Sequence, residues 1–200
     1  VSHTSYSVGG NYQLSRDLAF FARASDGVAF SADRLLYGNP LDGSVPVSIN
    51  TVKQIEAGAK LRSGAFSSFV TLFQARTKES NYEATTLKFT NNEYRATGVE
   101  LELGYRMGGL RLAGGATFTD ATITGPARLP DTSTPDLTDT VPNPNKGNTP
   151  RRQAKLVYQL SPSYSFGNFE LGAAIIGTGK SWGNDENTIT QPGFTVVNAY

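Results

Sequence analysis

Cysteine is absent from this 200-residue chain, which excludes disulfide scaffolds, thiolate metal sites and thiol nucleophiles. There is one histidine, His3, so neither a histidine metal cluster nor a histidine-assisted nucleophile can be assembled. No charge of one sign dominates either. The 18 basic and 17 acidic residues leave a net charge of +1, which offers nucleic acid no electrostatic footprint. Nucleic acid is therefore not an expected partner. No apolar run approaches the ~20 residues of a membrane-spanning helix; the longest, such as Leu18–Ala22, reach about five. These absences exclude a helical membrane protein and a small disulfide-stapled domain. They do not exclude a membrane β-barrel, whose strands hide their apolar residues in alternation.

What the chain does have is alternation. Side chains two apart share one face of a strand. From Ser5 to Leu14 the even positions are Tyr6, Val8, Gly10, Tyr12 and Leu14, and the odd ones are small or polar. Leu18–Ser25, Lys53–Arg62, Arg95–Tyr105, Leu110–Phe118, Leu156–Leu160, Phe169–Ile175 and Phe194–Tyr200 repeat the pattern. Phe66–Thr77 is more mixed, because Phe69 and Phe73 compete with Val70 and Leu72. Several of these nine candidate strands run to about ten residues, against about five or six for a soluble strand and roughly 9–11 for a tilted membrane strand.

The connections alternate in length. Short turns are expected at Ser15–Asp17, Ser63–Ala65, Met107–Gly109 and around Ser161–Asn168. Long ones are expected at Asp26–Asn50, Lys78–Asn92, Thr122–Thr149 and Trp182–Pro192. Six of the ten prolines fall between Pro126 and Pro150, which argues against a strand or helix there. Short turns at one end and long loops at the other are the asymmetry of an outer-membrane barrel. Tyr12, Tyr105, Tyr158, Phe166 and Phe169 lie near the short turns, where an interfacial aromatic girdle would sit. The expected fold class is all-β: an antiparallel transmembrane β-barrel segment of about nine up-and-down strands over residues 1–200. Two alternatives share the alternation. One is a soluble β-sandwich binding carbohydrate or protein. The other is a small complete porin-like barrel, against which an odd strand count weighs.

Catalysis has little support. Glu100 and Glu102 share one strand face, close enough for an acid pair, but nothing else marks a sugar cleft. Gly108-Gly109 and Gly114-Gly115 lack a phosphate-loop pattern. No enzyme activity, catalytic residue, cofactor or metal site is expected.

Four segments carry a family resemblance. Arg95-Ala96-Thr97-Gly98-Val99-Glu100-Leu101-Glu102 resembles the (K/R)-(A/S)-x-G-(V/I)-E-x-E strand of TonB-dependent outer-membrane receptors. Asn50–Lys60 is similar to that family's E-x-x-x-x-x-E-x-G-x-K strand, with Asn50 in place of the leading acid. Thr149-Pro150-Arg151-Arg152-Gln153-Ala154 resembles the (V/T)-P-(R/K)-x-x-(A/F) entry to a later strand. Gly193-Phe194-Thr195-Val196-Val197-Asn198 resembles G-(Y/F)-T-(L/V)-x-D, with Asn198 for the acid. Their order matches the C-terminal half of such a barrel.

The resemblance implies a partial barrel domain of a 22-stranded receptor in the bacterial outer membrane. It also implies a plug domain outside this chain, TonB as the energy-coupling partner through that plug, and a small-molecule chelate as ligand. The commonest cargo in the family is a ferric siderophore. Glu56, Lys60, Arg62, Glu100, Glu102, Arg106, Arg111, Lys155 and Glu170 would then face the lumen, because Arg or Lys against lipid at the midplane costs roughly 2–4 kcal/mol. Ligand contacts would come from the external loops: Arg34 and Tyr37, Tyr82, Arg128 and Lys146, and Trp182. There a cation can pair with an anionic chelate and a ring can stack on a flat one.

Overall fold

The computed structural model describes residues 3–30, 49–83, 88–126, 128–131, 133 and 139–200. Thirteen strands and no helix occur among them. They are β1 (Tyr6–Gln13), β2 (Leu18–Phe30), β3 (Ile49–Ser63), β4 (Phe66–Glu83), β5 (Lys88–Met107), β6 (Leu110–Gly125), β7 (Arg128–Pro130), β8 (Thr140–Pro142), β9 (Leu156–Phe166), β10 (Phe169–Thr178), β11 (Ser181–Trp182), β12 (Thr190–Gln191) and β13 (Phe194–Ala199). Nine of them form one sheet in the order β1-β2-β3-β4-β5-β6-β9-β10-β13, every pair antiparallel. The remaining four make two small ribbons, β7–β8 and β11–β12.

Tight turns set the register. Ser63 pairs with Phe66, Met107 with Leu110, and Phe166 with Phe169, leaving two central residues in each turn. The first of the two is a glycine with φ of 55° at Gly64, and Gly108 and Gly167 repeat it. Glycine enters that region without steric cost, and this is its place in a type II′ hairpin.

The register also fixes a tilt. The row leaving β3 at Ser63 passes Phe66, Tyr105 and Leu112 to Pro162, four residues short of the last strand residue, Phe166. Four strand spacings of ~4.8 Å against four residues of ~3.3 Å give a stagger of about 35°. That is the lower end of the tilt of membrane barrels.

Three expectations about the connections are corrected. The loop expected at Lys78–Asn92 is largely strand, since β4 and β5 stay paired from Phe66↔Tyr105 to Glu83↔Lys88. That stretch is polar on both faces, so periodicity gave no sign of it. The proline-rich connection contains the ribbon β7–β8, with Pro130 and Pro142 at strand ends where an N–H can be spared. The turn expected around Ser161–Asn168 shrinks to Gly167-Asn168. β9 runs through Pro162 with its ladder to β6 unbroken, while its ladder to β10 has no pair at Ser161 or Pro162. Proline has no N–H to give that ladder.

The two faces differ. Pairing joins Ala22, Ala57, Leu72, Val99, Phe118 and Leu156 in one row, and Leu61, Leu103 and Leu160 belong to the next rows of the same face. Val70 and Leu72 of the mixed segment join this apolar face, whereas Phe69 and Phe73 take the other. On that other face, rings lie over glycines directly opposite. A Cβ at Gly58 would come 2.5 Å from the Phe21 ring, and one at Gly98 would come 2.5 Å from the Phe73 ring. The aromatic side chain thus fills the gap left by the missing one.

A soluble sandwich would cover its apolar face with a second sheet. Here Ile55 is 65%, Leu72 58% and Leu171 61% exposed, and the buried apolar residues among those described are only Ala121, Ile123 and Ala154. The apolar face is uncovered.

Candidate functional site

Glu56, Lys60, Arg62, Glu100, Glu102, Arg106, Arg111 and Glu170 all lie on the face opposite the apolar one, as the registers of β3 to β10 require. Arg23 Nε donates to Glu56 Oε1 at 2.7 Å, and Gln54 donates to the other carboxylate oxygen at 2.7 Å. Lys60 Nζ stands 5.2 Å and 5.1 Å from the centroids of Phe21 and Phe69, which stack 5.1 Å apart. Glu100 and Glu102 form no ion pair among the described residues. Lys155, just before β9, departs from the expected lumen set: it reaches Asp120 at 3.2 Å, and Asp120, opposite Thr97, belongs to the apolar face. At β10–β13 the polar face changes character, because Phe194 and Val196 pair with Thr178 and Ile176 on that side.

The loop candidates are spread along the long-connection end. Arg34 and Tyr37 lie outside the described residues. Tyr82 belongs to β4, opposite Phe89, and not to a loop; its side chain lies outside the described residues. Arg128 turns onto its own ribbon, where Nε donates to Thr140 Oγ1 at 2.8 Å and Nη2 to the Thr140 carbonyl. Lys146 sits exposed in a turn whose Asn148 N–H donates to the Asn145 carbonyl. Trp182, partly exposed, ends β11 opposite Thr190.

The structure joins the last two of these candidates through the Thr149–Arg152 stretch of the quoted motif and through Asn148, Asn184, Asp185 and Asn187, which the sequence did not single out. Asn187 accepts from the Thr149 N–H at 3.0 Å and donates to the Thr149 carbonyl at 2.8 Å. Asn148 donates to the Asp185 carbonyl at 2.9 Å, and the Arg151 N–H donates to the Asp185 carboxylate at 2.8 Å. The Arg152 N–H donates to the Trp182 carbonyl at 2.7 Å. Asn184 accepts from the Thr188 and Ile189 N–H groups at 3.1 Å each, closing the tip of the fourth connection. Strand β6 anchors the unit below: the Ile123 N–H donates to the Asn148 carbonyl and the Gly147 N–H to the Ile123 carbonyl, both at 2.9 Å. Asparagine tolerates left-handed backbone and bonds to nearby main chain, and Asn187 adopts φ 57°. The asparagine density of 143–148 and 184–187 was the available sign.

Beside this junction lies a cavity of ≈ 200 Å³ lined by Trp182, Lys180, Gln153, Lys155 and Leu156. Residues 143–155 and 179–192 carry five cations (Lys146, Arg151, Arg152, Lys155, Lys180) against two carboxylates (Asp185, Glu186). A tied, net-positive wall with one indole suits an anionic ligand with a flat part.

Residues 1–200 match the family described as TonB dependent receptor-like, beta-barrel. No curated protein matches in sequence. Solved structures do match in fold. The siderophore receptor PiuA from Acinetobacter baumannii superposes with a TM-score of 0.73 at 16% identity over 98% of this chain. The ferric preacinetobactin receptor BauA from the same organism gives 0.69 at 22% over 96%. The ferric yersiniabactin uptake receptor FyuA from Yersinia pestis gives 0.68 at 15% over 96%. The chain spans 28% of the length of each of these three.

Proposed function

Because the chain belongs to the TonB dependent receptor-like β-barrel family across residues 1–200, we propose that it forms part of the wall of a receptor that imports a ferric siderophore. The family is one of bacterial outer-membrane transport receptors and not of enzymes. In this reading the uncovered apolar face meets lipid and the opposite face, with Glu56, Lys60, Glu100, Glu102 and Arg111, lines the lumen. The nine strands form one stretch of a larger, 22-stranded barrel. An open strand edge is not viable in lipid, so β1 and β13 pair with strands elsewhere in the protein. The lumen holds a plug, and TonB acts through it.

The observation that carries the choice of cargo is the junction of the third and fourth connections. Its two segments carry five cations against two carboxylates, and of these Lys180 and Lys155 line the cavity beside Trp182, Lys155 being held by Asp120, at the end of the sheet where the long connections lie. A ferric chelate with anionic donors and flat aromatic ligating groups offers the complementary chemistry. The test is uptake of radioactive iron from defined ferric siderophores by cells that carry, lack or mutate this gene. Uptake of at least one chelate should be lost both on deletion and in a strain without TonB. Uptake unaffected by deletion for every chelate, or surviving without TonB, would overturn the reading.

A further inference from the structure

The apolar face does not end in neutral residues at the long-connection end. It ends in cations. Beyond Ile55, Leu72 and Val99, the same side-chain parity brings Lys53, Arg76 and Arg95 directly opposite one another in a single row across β3, β4 and β5. Lys78 follows on β4, two residues farther from the short turns. Of the three carboxylates that the described strands place on this face, Asp120, opposite Thr97, is held by Lys155 at 3.2 Å, and the other two neutralise only part of the set. Asp26 Oδ2 lies 3.2 Å from Lys53 Nζ, and Glu93 Oε1 lies 2.7 Å from Lys78 Nζ. His3 holds the other Asp26 oxygen at 3.0 Å. Arg76 and Arg95, both exposed and side by side, form no ion pair among the described residues.

Like charges directly opposite in a sheet repel, and Lys53 has Asp26 against it, so it is the Arg76–Arg95 pair that favours an anion bridging it. Arginine is the side chain best shaped to grip a phosphate through two parallel N–H bonds. The row also stands at the right depth. The mixed row of Ile55, Gln74 and Thr97 separates it from Ala57, Leu72 and Val99, and it lies ten residues from the row of Ser63, Phe66 and Tyr105. At ~3.3 Å per residue and a tilt of about 35° that is roughly 27 Å along the normal, just beyond an apolar band about 25 Å tall and so at headgroup level. We infer that Arg76 and Arg95, flanked by Lys53, form a docking site on the outer wall for the phosphate groups of a membrane lipid headgroup. The inference rests on the reading of the apolar face as lipid-facing.

The test uses the full-length protein purified in detergent, wild type and R76Q/R95Q. Binding of diphosphoryl lipid A and of its dephosphorylated form is followed by native mass spectrometry, with and without excess inorganic phosphate. Wild type is expected to bind the diphosphoryl form at least tenfold more tightly than the double variant, and both are expected to bind the phosphate-free form equally. Equal affinity of the two proteins for diphosphoryl lipid A would overturn the site. So would displacement of the lipid by inorganic phosphate, which would mean a free-anion site. Should the double variant fail to fold, R95Q alone is expected to show a threefold or greater loss, and unchanged affinity in R95Q would count against the site equally. A fluorophore at Leu101→Cys, read by quenchers carried on lipid chains, tests the underlying orientation on its own. Absence of quenching sinks the lipid-facing reading, whereas quenching with unchanged lipid A affinity sinks only the headgroup site.

Discussion

Replacing Asn187 should unfasten the third and fourth connections from each other. Its side chain bonds both the N–H and the carbonyl of Thr149, at 3.0 Å and 2.8 Å, and donates to the Asn184 carbonyl at 3.3 Å. Two net hydrogen bonds are worth about 1 kcal/mol each, with a further cost for the part-buried Thr149 groups left unpaired. The residue also sits at φ 57°, where a Cβ without a local hydrogen bond costs about 1 kcal/mol. Asn187→Ala should therefore destabilise the closed junction by about 2–4 kcal/mol, a ~30- to 1000-fold rise in local opening. Hydrogen exchange at the Thr149 and Arg151 amides of the full-length protein reads this directly, because both are hydrogen-bonded only across the junction. Asn187→Gly should open less, since it relieves the backbone cost. Asn187→Asp keeps the acceptor for the Thr149 N–H but turns a carboxylate oxygen toward the Thr149 and Asn184 carbonyls, so it should open the junction more than Asn187→Gly. Exchange within threefold of wild type in Asn187→Ala would refute the idea that these side-chain bonds hold the loops together.

Three other outcomes follow from the same geometry. Gly98→Ala places a Cβ 2.3 Å from the Phe118 carbonyl oxygen and 2.5 Å from the Phe73 ring, so it should cost roughly 1–3 kcal/mol in urea unfolding; an unchanged midpoint would show that the strands part easily. Leu101→Arg should destabilise folding into lipid vesicles by roughly 2–4 kcal/mol, whereas Glu102→Arg, on the opposite face, should change it little; equal effects would deny that the faces differ in solvent. Trp182→Ala and Lys180→Gln should each weaken binding of the transported chelate by about tenfold, measured by ligand-induced fluorescence change, while the barrel fold stays intact; unchanged affinity in both would move the ligand site away from this junction.

The sheet was legible in the sequence because strands with one apolar and one polar face are written in period two. Val99, Leu101 and Leu103 alternating with Glu100 and Glu102 need no other information to define two faces. The glycine turns at Gly64 and Gly108 were equally visible, since a tight hairpin demands a residue free of Cβ. Periodicity failed where both faces are polar: Lys78–Glu83 is strand, yet its side chains carry no contrast to reveal it. It also failed wherever the chemistry depends on register between strands. Lys53, Arg76 and Arg95 are unremarkable apart in sequence and become one row only once the turns set which residues stand opposite. The junction built on Asn187 and Thr149 escaped for a related reason, because side-chain to main-chain bonds across 38 residues leave no local pattern.

The central claim is that alternate residues of these strands meet lipid and lumen. Single cysteines from Gly98 to Leu103 of β5, each carrying a small fluorophore, in vesicles containing chain-quenched lipids, test it most directly. Strong quenching is expected at Val99, Leu101 and Leu103, and weak quenching at Gly98, Glu100 and Glu102. Uniform quenching along the strand, or the inverse alternation, would contradict it.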